Sequence, residues 1–344
     1  MEVALLIEKG ILILILTAIT LGIATYLTYG ERKVAALMQD RIGPDRAGPF
    51  GIFQPLADAG KMFFKEEIIP THSERWLFIL GTAIAMITAC ITSAVIPWGT
   101  SLEVFGRTVE LQVADVDIGV LYIMGIVSMG VYGIMIGGWA SNNKYSLFSA
   151  IRASAQMISY ELSMGLALLA VIVLSETLSL KDIVAQQHGD FGMGWNIFYQ
   201  PIGFLIFFIC SLAECNRAPF DMAEAESELI GGYHTEYSSM KLGFYLFAEY
   251  INMFISSALM AAVYLGGYNF PGMDLLHNHP TILGLLQIGV MFAKVSLFIF
   301  IFMWIRWTLP RFRYDQLMSL GWKSLIPLAL LNLIVTAAVA LWLG

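Results

Sequence analysis

Apolar positions in this chain gather into long unbroken runs. They show neither the third-or-fourth spacing of a surface helix nor the alternation of a half-buried strand. Runs of roughly 17 to 25 such residues are long enough for a helix to cross a bilayer. They fall at about 10–29, 76–97, 118–140, 155–179, 197–213, 242–267, 281–305 and 324–343, and the fifth is the shortest. Continuous runs predict an all-α integral membrane protein of about eight transmembrane helices, forming a single membrane domain over 1–344. The sequence shows no internal repeat of the kind from which many transporter folds are built.

Polar stretches at 30–75, 141–154, 214–241 and 306–323 join alternate pairs of spans. The first is broken by the turn pairs Gly43-Pro44 and Gly48-Pro49. Pro55 then suits the first turn of a helix. Phe53, Leu56, Met62 and Phe63, with the small Ala59 and Gly60, make an apolar side, while Asp58, Lys61 and Lys65 recur at i, i+3 and i+7. That pattern predicts an amphipathic helix lying in the membrane interface. It fits a plain surface anchor, and it fits a helix framing a lateral opening to the lipid. Seven basic and seven acidic residues within 30–75 favour a docking surface over a simple lipid-binding patch.

Composition agrees with the pattern. Charged residues make up 13% and mean hydropathy is +0.73, whereas a soluble domain averages about 25% charged. The net charge of −7, with no basic patch interleaved with aromatics, speaks against nucleic acid as a partner. The opening MEVALLIEKG is acidic rather than basic ahead of its apolar run and does not read as a cleavable signal peptide. Fifteen of the 19 Lys and Arg fall in the four polar stretches; the rest are Lys9, Arg107, Lys181 and the mid-span Lys294. By the positive-inside rule those stretches are cytoplasmic loops and both termini face outward.

The candidate chemistry is acidic. Glu214 closes the fifth run, and Asp221, Glu224, Glu226 and Glu228 follow within a few positions. Such a run has a structural reading: Asp221 with Glu224 three residues later resembles a helix capping box, and a solvated charged face is common. Against it stand the scarcity of basic residues beyond Arg217 and the interleaved Pro219, Phe220, Leu229, Ile230 and Gly231-Gly232. Glu161 and Glu249 lie about two turns inside their spans, and Lys294 lies near the middle of its own. A charge at such depth costs about 2.5–3.5 kcal/mol on an insertion scale. It therefore needs a partner or a wet cavity, either as helix-to-helix glue or as part of a proton path.

Other motifs carry less. Cys90, Cys210 and Cys215 form no CxxC pair, which argues against an iron–sulfur or zinc site. His277 and His279 form an isolated pair with no third ligand type nearby, too little for a metal site. No dinucleotide, phosphate-loop or haem motif is present, so no redox cofactor is expected to bind this chain itself.

Four stretches carry a resemblance. ERKVAALMQDRIGPDRAGPFGIFQPLADAGKMFFKEE (31–67), GWASNNKYSLFSAIRASAQMISYE (138–161), AECNRAPFDMAEAESELIGGYHTEYSSMKLGFYLFAEY (213–250) and WIRWTLPRFRYDQLMSLGWK (304–323) resemble the H subunit of NADH–quinone oxidoreductase, respiratory complex I. The likeness runs through nearly the whole chain. Cys215 stands where many relatives have Thr, and Ala225 where many have Gly. The third span carries neutral Met129 and Gly130 where some relatives place an acid.

The resemblance implies a membrane heel joining a redox arm to a pumping arm. The first, interfacial and sixth helices would frame a quinone entrance, with Arg32, Gln39, Arg41, Phe53, Asp58, Lys61, Arg217 and Phe220 as chamber residues. Glu161, Glu214, Asp221, Glu224, Glu226, Glu228, Glu249 and Lys294 would couple quinone reduction to proton movement. No complete catalytic site would lie in this chain alone. Quinone would be the substrate, and FMN and the iron–sulfur clusters would sit in partner subunits. The partners implied are the quinone-site and iron–sulfur subunits of the peripheral arm, small membrane subunits of the pumping arm, and lipid. The implied place is a bacterial inner membrane with both termini on the periplasmic side. Two rivals remain at this point: a stand-alone proton or cation carrier, and the anchor subunit of a related membrane-bound hydrogenase or dehydrogenase.

Overall fold

A computed structural model describes residues 2–104, 107–188, 194–224, 230–273 and 280–343. Its long helices are α1 (Glu2–Met38), α3 (Arg75–Thr92), α4 (Gly119–Ala140), α5 (Lys144–Ser175), α9 (Ser239–Tyr264), α10 (Pro280–Thr308) and α12 (Ile326–Leu343). Shorter elements join them: α2 (Gln54–Phe64), α6 (Leu180–Gln186), α7 (Asn196–Tyr199), α8 (Pro201–Glu214) and α11 (Tyr314–Ser319). Among the described residues 7 helical stretches are long and apolar enough to cross a membrane, and α8 is a shorter apolar helix. With 14 residues α8 extends about 21 Å, short of the ~30 Å hydrocarbon layer. A break at Gln200 separates it from α7.

The elements depart from the sequence expectation mainly at their ends. α1 runs on to Met38, so Arg32 and Lys33 ride on a helix rather than in a loop. The expected loop 141–154 shrinks to three residues, because the Asn143 side chain accepts the Tyr145 backbone N–H (2.9 Å) and starts α5 at Lys144. The last span reaches back through a π turn (Leu320–Leu325) into α11. The connection 98–117 holds an antiparallel hairpin, β1 (Ser101–Val104) with β2 (Arg107–Glu110), where no strand was expected. Four-residue strands are too short to stand out beside spans of twenty apolar residues. The amphipathic helix forms as α2, with Pro55 in its first turn.

α9 is the centre of the bundle: 72% of its apolar window is buried, against 11% for α1 at the periphery. α1, α3, α8 and α10 pack directly against it. The tightest crossing is α3 on α4. A Cβ on Gly81 would lie 2.9 Å from the Gly137 backbone, and one on Gly133 2.9 Å from the Ala85 nitrogen. Small residues allow such backbone approach where lipid gives no hydrophobic drive between helices. Tyr245 from α9 donates to the Gly133 carbonyl (3.1 Å), and Tyr237 donates to those of Phe78 (3.2 Å) and Gly137 (3.1 Å). These bonds fasten α9, and the acidic segment leading into it, to the α3–α4 pair.

Candidate functional site

Two cavities are lined in part by α9. The larger, of about 400 Å³, is lined by Thr25, Thr28, Glu31 and Arg32 of α1, Pro55, Asp58, Ala59 and Met62 of α2, and Gly243, Leu246, Phe247 and Tyr250 of α9. Arg217, Glu224, Arg306 and Trp307 complete it. Its volume lies within the about 300–1,000 Å³ range of small-molecule sites, and an apolar wall with a few convergent charges is the usual character of such sites. The amphipathic period of α2 turns Pro55, Ala59 and Met62 toward α1 and α9, while Phe63 and Phe64 remain exposed. Arg32 pairs with Asp58 (2.7 Å), tying α1 to α2 at the rim.

The smaller cavity, of about 40 Å³, is enclosed between α3, α4, α5, α8 and α9. Thr88, Glu214, Asn216, Tyr233, Tyr245, Glu249 and Asn252 bring polar groups to it. That volume exceeds the about 10–15 Å³ needed by one water. Glu214 Oε2 is buried and makes no hydrogen bond among the described residues, which leaves it facing this space.

A file of charges separates the cavities. Arg306 pairs with Glu31, whose other oxygen accepts from the Tyr250 hydroxyl (2.7 Å). Arg217 faces Glu31 at 3.6 Å and Glu249 at 3.7 Å, and Glu249 accepts from the Tyr233 hydroxyl (3.3 Å). Alternating signs let all four charges remain buried or half-buried, since an unpaired one would be far more costly. Burial disfavours the charge on Arg217, but the oxygens of Tyr250, Glu249 and Glu31 outweigh it and hold its proton more firmly than usual. Burial, with the Glu249 carboxylate beside it, pushes the Tyr233 hydroxyl well above its ordinary range, so it stays a donor near neutral pH.

The expected relay residues do not all lie together. Glu214 and Glu249 share the inner cavity. Glu161 flanks it: it accepts from Ser128 of α4 and lines a separate groove with Met124, Leu162 and Leu169. Asp221 is committed locally, accepting the Glu224 backbone N–H (3.1 Å) and pairing with Arg311 (2.6 Å); any helix the capping reading would start lies outside the described residues. Glu224 lines the larger cavity. Glu226 and Glu228, and the pair His277 and His279, lie outside the described residues.

Lys294 corrects an expectation. Among the described residues it faces neither an acid nor the inner cavity. It donates to the carbonyls of Leu265, Gly267 and Asn269 (2.7 Å each) and lies over the Trp195 ring (4.5 Å). Those carbonyls sit just past the C-terminus of α9, about 22 Å along the helix from Glu249. A helix C-terminus presents unpaired carbonyls and partial negative charge, so a cation there needs no carboxylate.

The expected chamber residues divide similarly. Arg32, Asp58 and Arg217 line the larger cavity. Gln39, Arg41, Phe53 and Lys61 lie on the exposed surface, with Arg41 donating to Gln39 (2.7 Å). Phe220 is buried between Tyr160 and Phe312 (centroids 5.4 Å from each) and is packing, not lining. Sequence reasoning missed Glu31, Tyr250, Arg306 and Tyr233. Glu31 and Arg306 were legible as the first charges past long apolar runs; the tyrosines gave no signal beyond the general spread of aromatics.

Comparison with known proteins places the chain. The family described as NADH dehydrogenase matches residues 11–337. A curated protein of Cytophaga hutchinsonii, one of its NADH-quinone oxidoreductase H subunits, is 63% identical over 97% of this chain and 96% of its own length. The NADH-quinone oxidoreductase H subunit of Flavobacterium johnsoniae is 58% identical over 99% of this chain and 97% of its own length. That of Thermomicrobium roseum is 46% identical over 95% and 94%.

Proposed function

We propose, starting from the fact that this chain belongs to the NADH dehydrogenase family, that it is the membrane subunit of an NADH–quinone oxidoreductase in which the larger cavity takes up quinone. That membership disfavours a stand-alone carrier or a hydrogenase anchor. The observation that carries the proposal is the cavity of about 400 Å³ between α1, α2 and α9. Its walls on α2 and the peripheral α1 suit an opening toward lipid, where a quinone with an apolar tail would be found. Thr25, Met62, Leu246, Phe247 and Trp307 suit that tail, and the charged file at Glu31 and Arg217 suits a polar head group.

The inner cavity suits proton handling. Carboxylates exchange protons and carry no electrons, and Glu214 and Glu249 border one small polar space, with the Glu161 charge acting on Glu214. Asp221 and Glu224, with Glu226 and Glu228 assigned by their place in the sequence alone, complete the proposed relay. Lys294 leaves the relay for a structural role.

The chain works as one membrane domain within a larger enzyme and holds no complete catalytic site. FMN and iron–sulfur clusters belong to partner subunits of the peripheral arm. Gln39, Arg41, Phe53 and Lys61, exposed on the first cytoplasmic segment, sit where such a partner would dock. Small membrane subunits of a pumping arm are the other expected neighbours. The setting is a bacterial inner membrane, with Arg32, Arg217, Arg306 and their loops on the cytoplasmic side and both termini outside. The test is a quinone analogue with a photoreactive group on its tail, added to membranes holding the whole complex. It should label α1, α2 or α9 near Thr25, Met62 or Phe247; labelling confined to 98–117 or 268–273 overturns the reading.

A further inference from the structure

Arg217 forms the partition between the two cavities. Its guanidinium faces Glu31 at 3.6 Å on the chamber side and Glu249 at 3.7 Å on the inner side. Both separations exceed the about 2.7–2.9 Å of a direct charge-assisted hydrogen bond. Arg217 Nε and Nη2 make no hydrogen bond among the described residues, although the side chain is only 7% exposed. The group is thus buried, charged and committed to neither carboxylate. It rests over the Tyr250 ring, 4.2 Å from the centroid, and the same tyrosine donates to Glu31.

We propose that Arg217 is a shared counter-ion that carries the charge state of Glu249, in the inner cavity, to Glu31 in the chamber wall, with Glu31 and Tyr250 as positioning residues. The proposal rests on the chamber-and-relay reading above and adds how its two halves communicate. A movement of less than about 1 Å toward either side turns one long contact into a direct hydrogen bond and lengthens the other. When the Glu249 carboxylate takes up a proton its attraction for the guanidinium falls, and Arg217 is drawn to Glu31. When that proton leaves, Glu249 competes again. No other bond is made or broken.

The surroundings suit such a device. The face of Tyr250 lets a flat cation shift while keeping its ring contact. Glu31 is held from the other side by Arg306 of α10, and Glu249 by the Tyr233 hydroxyl, so the carboxylates are fixed and the arginine is the movable member. Glu224 and Asp221 add negative charge from the acidic segment, and Glu224 also lines the chamber. A lysine would not replace Arg217: a point charge cannot span two carboxylates as a planar fork can.

The test compares Arg217→Lys, Glu31→Gln and Tyr250→Phe in membranes containing the assembled complex, with Lys181→Gln on the outer face as a distant control. NADH oxidation by a water-soluble artificial acceptor reports that the complex has assembled. Redox-induced infrared difference spectra report the Glu249 carboxyl band, assigned by its loss in Glu249→Gln. Arg217→Lys and Glu31→Gln should shift or abolish that band and lower kcat for quinone reduction about three- to ten-fold, with KM changed less. A band and kcat unchanged in both, with only KM for quinone raised, would make Arg217 a simple chamber wall: the counter-ion proposal falls and the chamber reading stands. If band, kcat and KM are all unchanged in the assembled variants, both readings fail.

Discussion

Glu214 and Glu249 reach one enclosed cavity from two different helices, the end of α8 and the buried middle of α9. Glu249 is partnered by Tyr233 and Arg217, whereas Glu214 Oε2 has no hydrogen bond among the described residues. The pair should therefore respond unequally to removal of a titrating group. Glu214→Gln keeps shape and polarity at a side chain that makes no ion pair among the described residues, so assembly should be normal. If the cavity passes protons, quinone-linked pumping should fall by about 100-fold or more, the range of a lost acid–base group. Glu249→Gln should lose pumping and also loosen Arg217. Quinone reductase rates and proton uptake in sealed vesicles would measure both. Wild-type pumping in both assembled variants would make the carboxylates structural.

Lys294 should behave in the opposite way. Three carbonyls and one ring hold its ammonium beyond the end of α9. Lys294→Met keeps the stem but leaves those carbonyls without their donor. Bonds to a charged donor contribute about 1.5–3 kcal/mol each and are not additive, so a loss of about 2–4 kcal/mol is expected. The readout is a lower Tm of the purified complex, with the number of protons moved per quinone unchanged in what survives. A changed stoichiometry at unchanged stability would return Lys294 to the relay.

Arg32 and Asp58 clasp α1 to α2 at the chamber rim, 2.7 Å apart and partly exposed. A pair of this kind contributes about 1 kcal/mol or less to stability, so breaking it should not unfold the protein. Its removal should instead loosen the position of α2. Arg32→Gln and Asp58→Asn should each raise KM for a long-tailed quinone a few-fold, by about the same 1 kcal/mol, and leave a short-tailed analogue nearly unaffected. Steady-state kinetics with both quinones checks this; equal effects on the two would place the clasp away from the tail.

How far the sequence foretold these features depended on the length scale of the signal. Spans of twenty apolar residues were plain, and so was α2, because Pro55 and the Asp58–Lys61–Lys65 spacing are local. Helix ends were not: Arg32 and Lys33 looked like loop residues, yet a helix continues past the hydrocarbon because its backbone bonds are satisfied internally. The hairpin at Ser101–Glu110 was hidden by its shortness. Within the site, Glu249 stood out as a charge at depth, while Glu31 was passed over as a span-end charge. Lys294 calls for a partner or a wet cavity, but which partner is not legible, because the carbonyls it meets are written in no side chain. Phe220 fell among chamber residues by its place in a motif, and its packing against Tyr160 and Phe312 depends on elements far away in sequence.

The attachment of Tyr237 and of α9 to the α3–α4 pair depends on Gly137. A Cβ at Gly137 would lie 2.0 Å from the Tyr245 hydroxyl and 3.0 Å from that of Tyr237. Both hydroxyls donate to carbonyls of the α3–α4 pair, and Tyr237 stacks on Phe78 with centroids 3.9 Å apart. Gly137→Ala would gain helix propensity of about 1 kcal/mol but cannot keep these contacts. Either α9 moves outward or two buried hydroxyls lose partners, at about 1–3 kcal/mol each. The variant should assemble poorly, and what assembles should have a lower Tm and reduced quinone reductase activity, since Tyr245 lines the inner cavity and Tyr237 leads into α9. Adding Tyr245→Phe removes the clashing oxygen. The double variant should therefore recover much of the assembled complex, measured by native gel and by artificial-acceptor activity. No recovery in the double variant would show that the Gly137 contact with the Tyr237 hydroxyl, or with the helix backbone, is the limiting one.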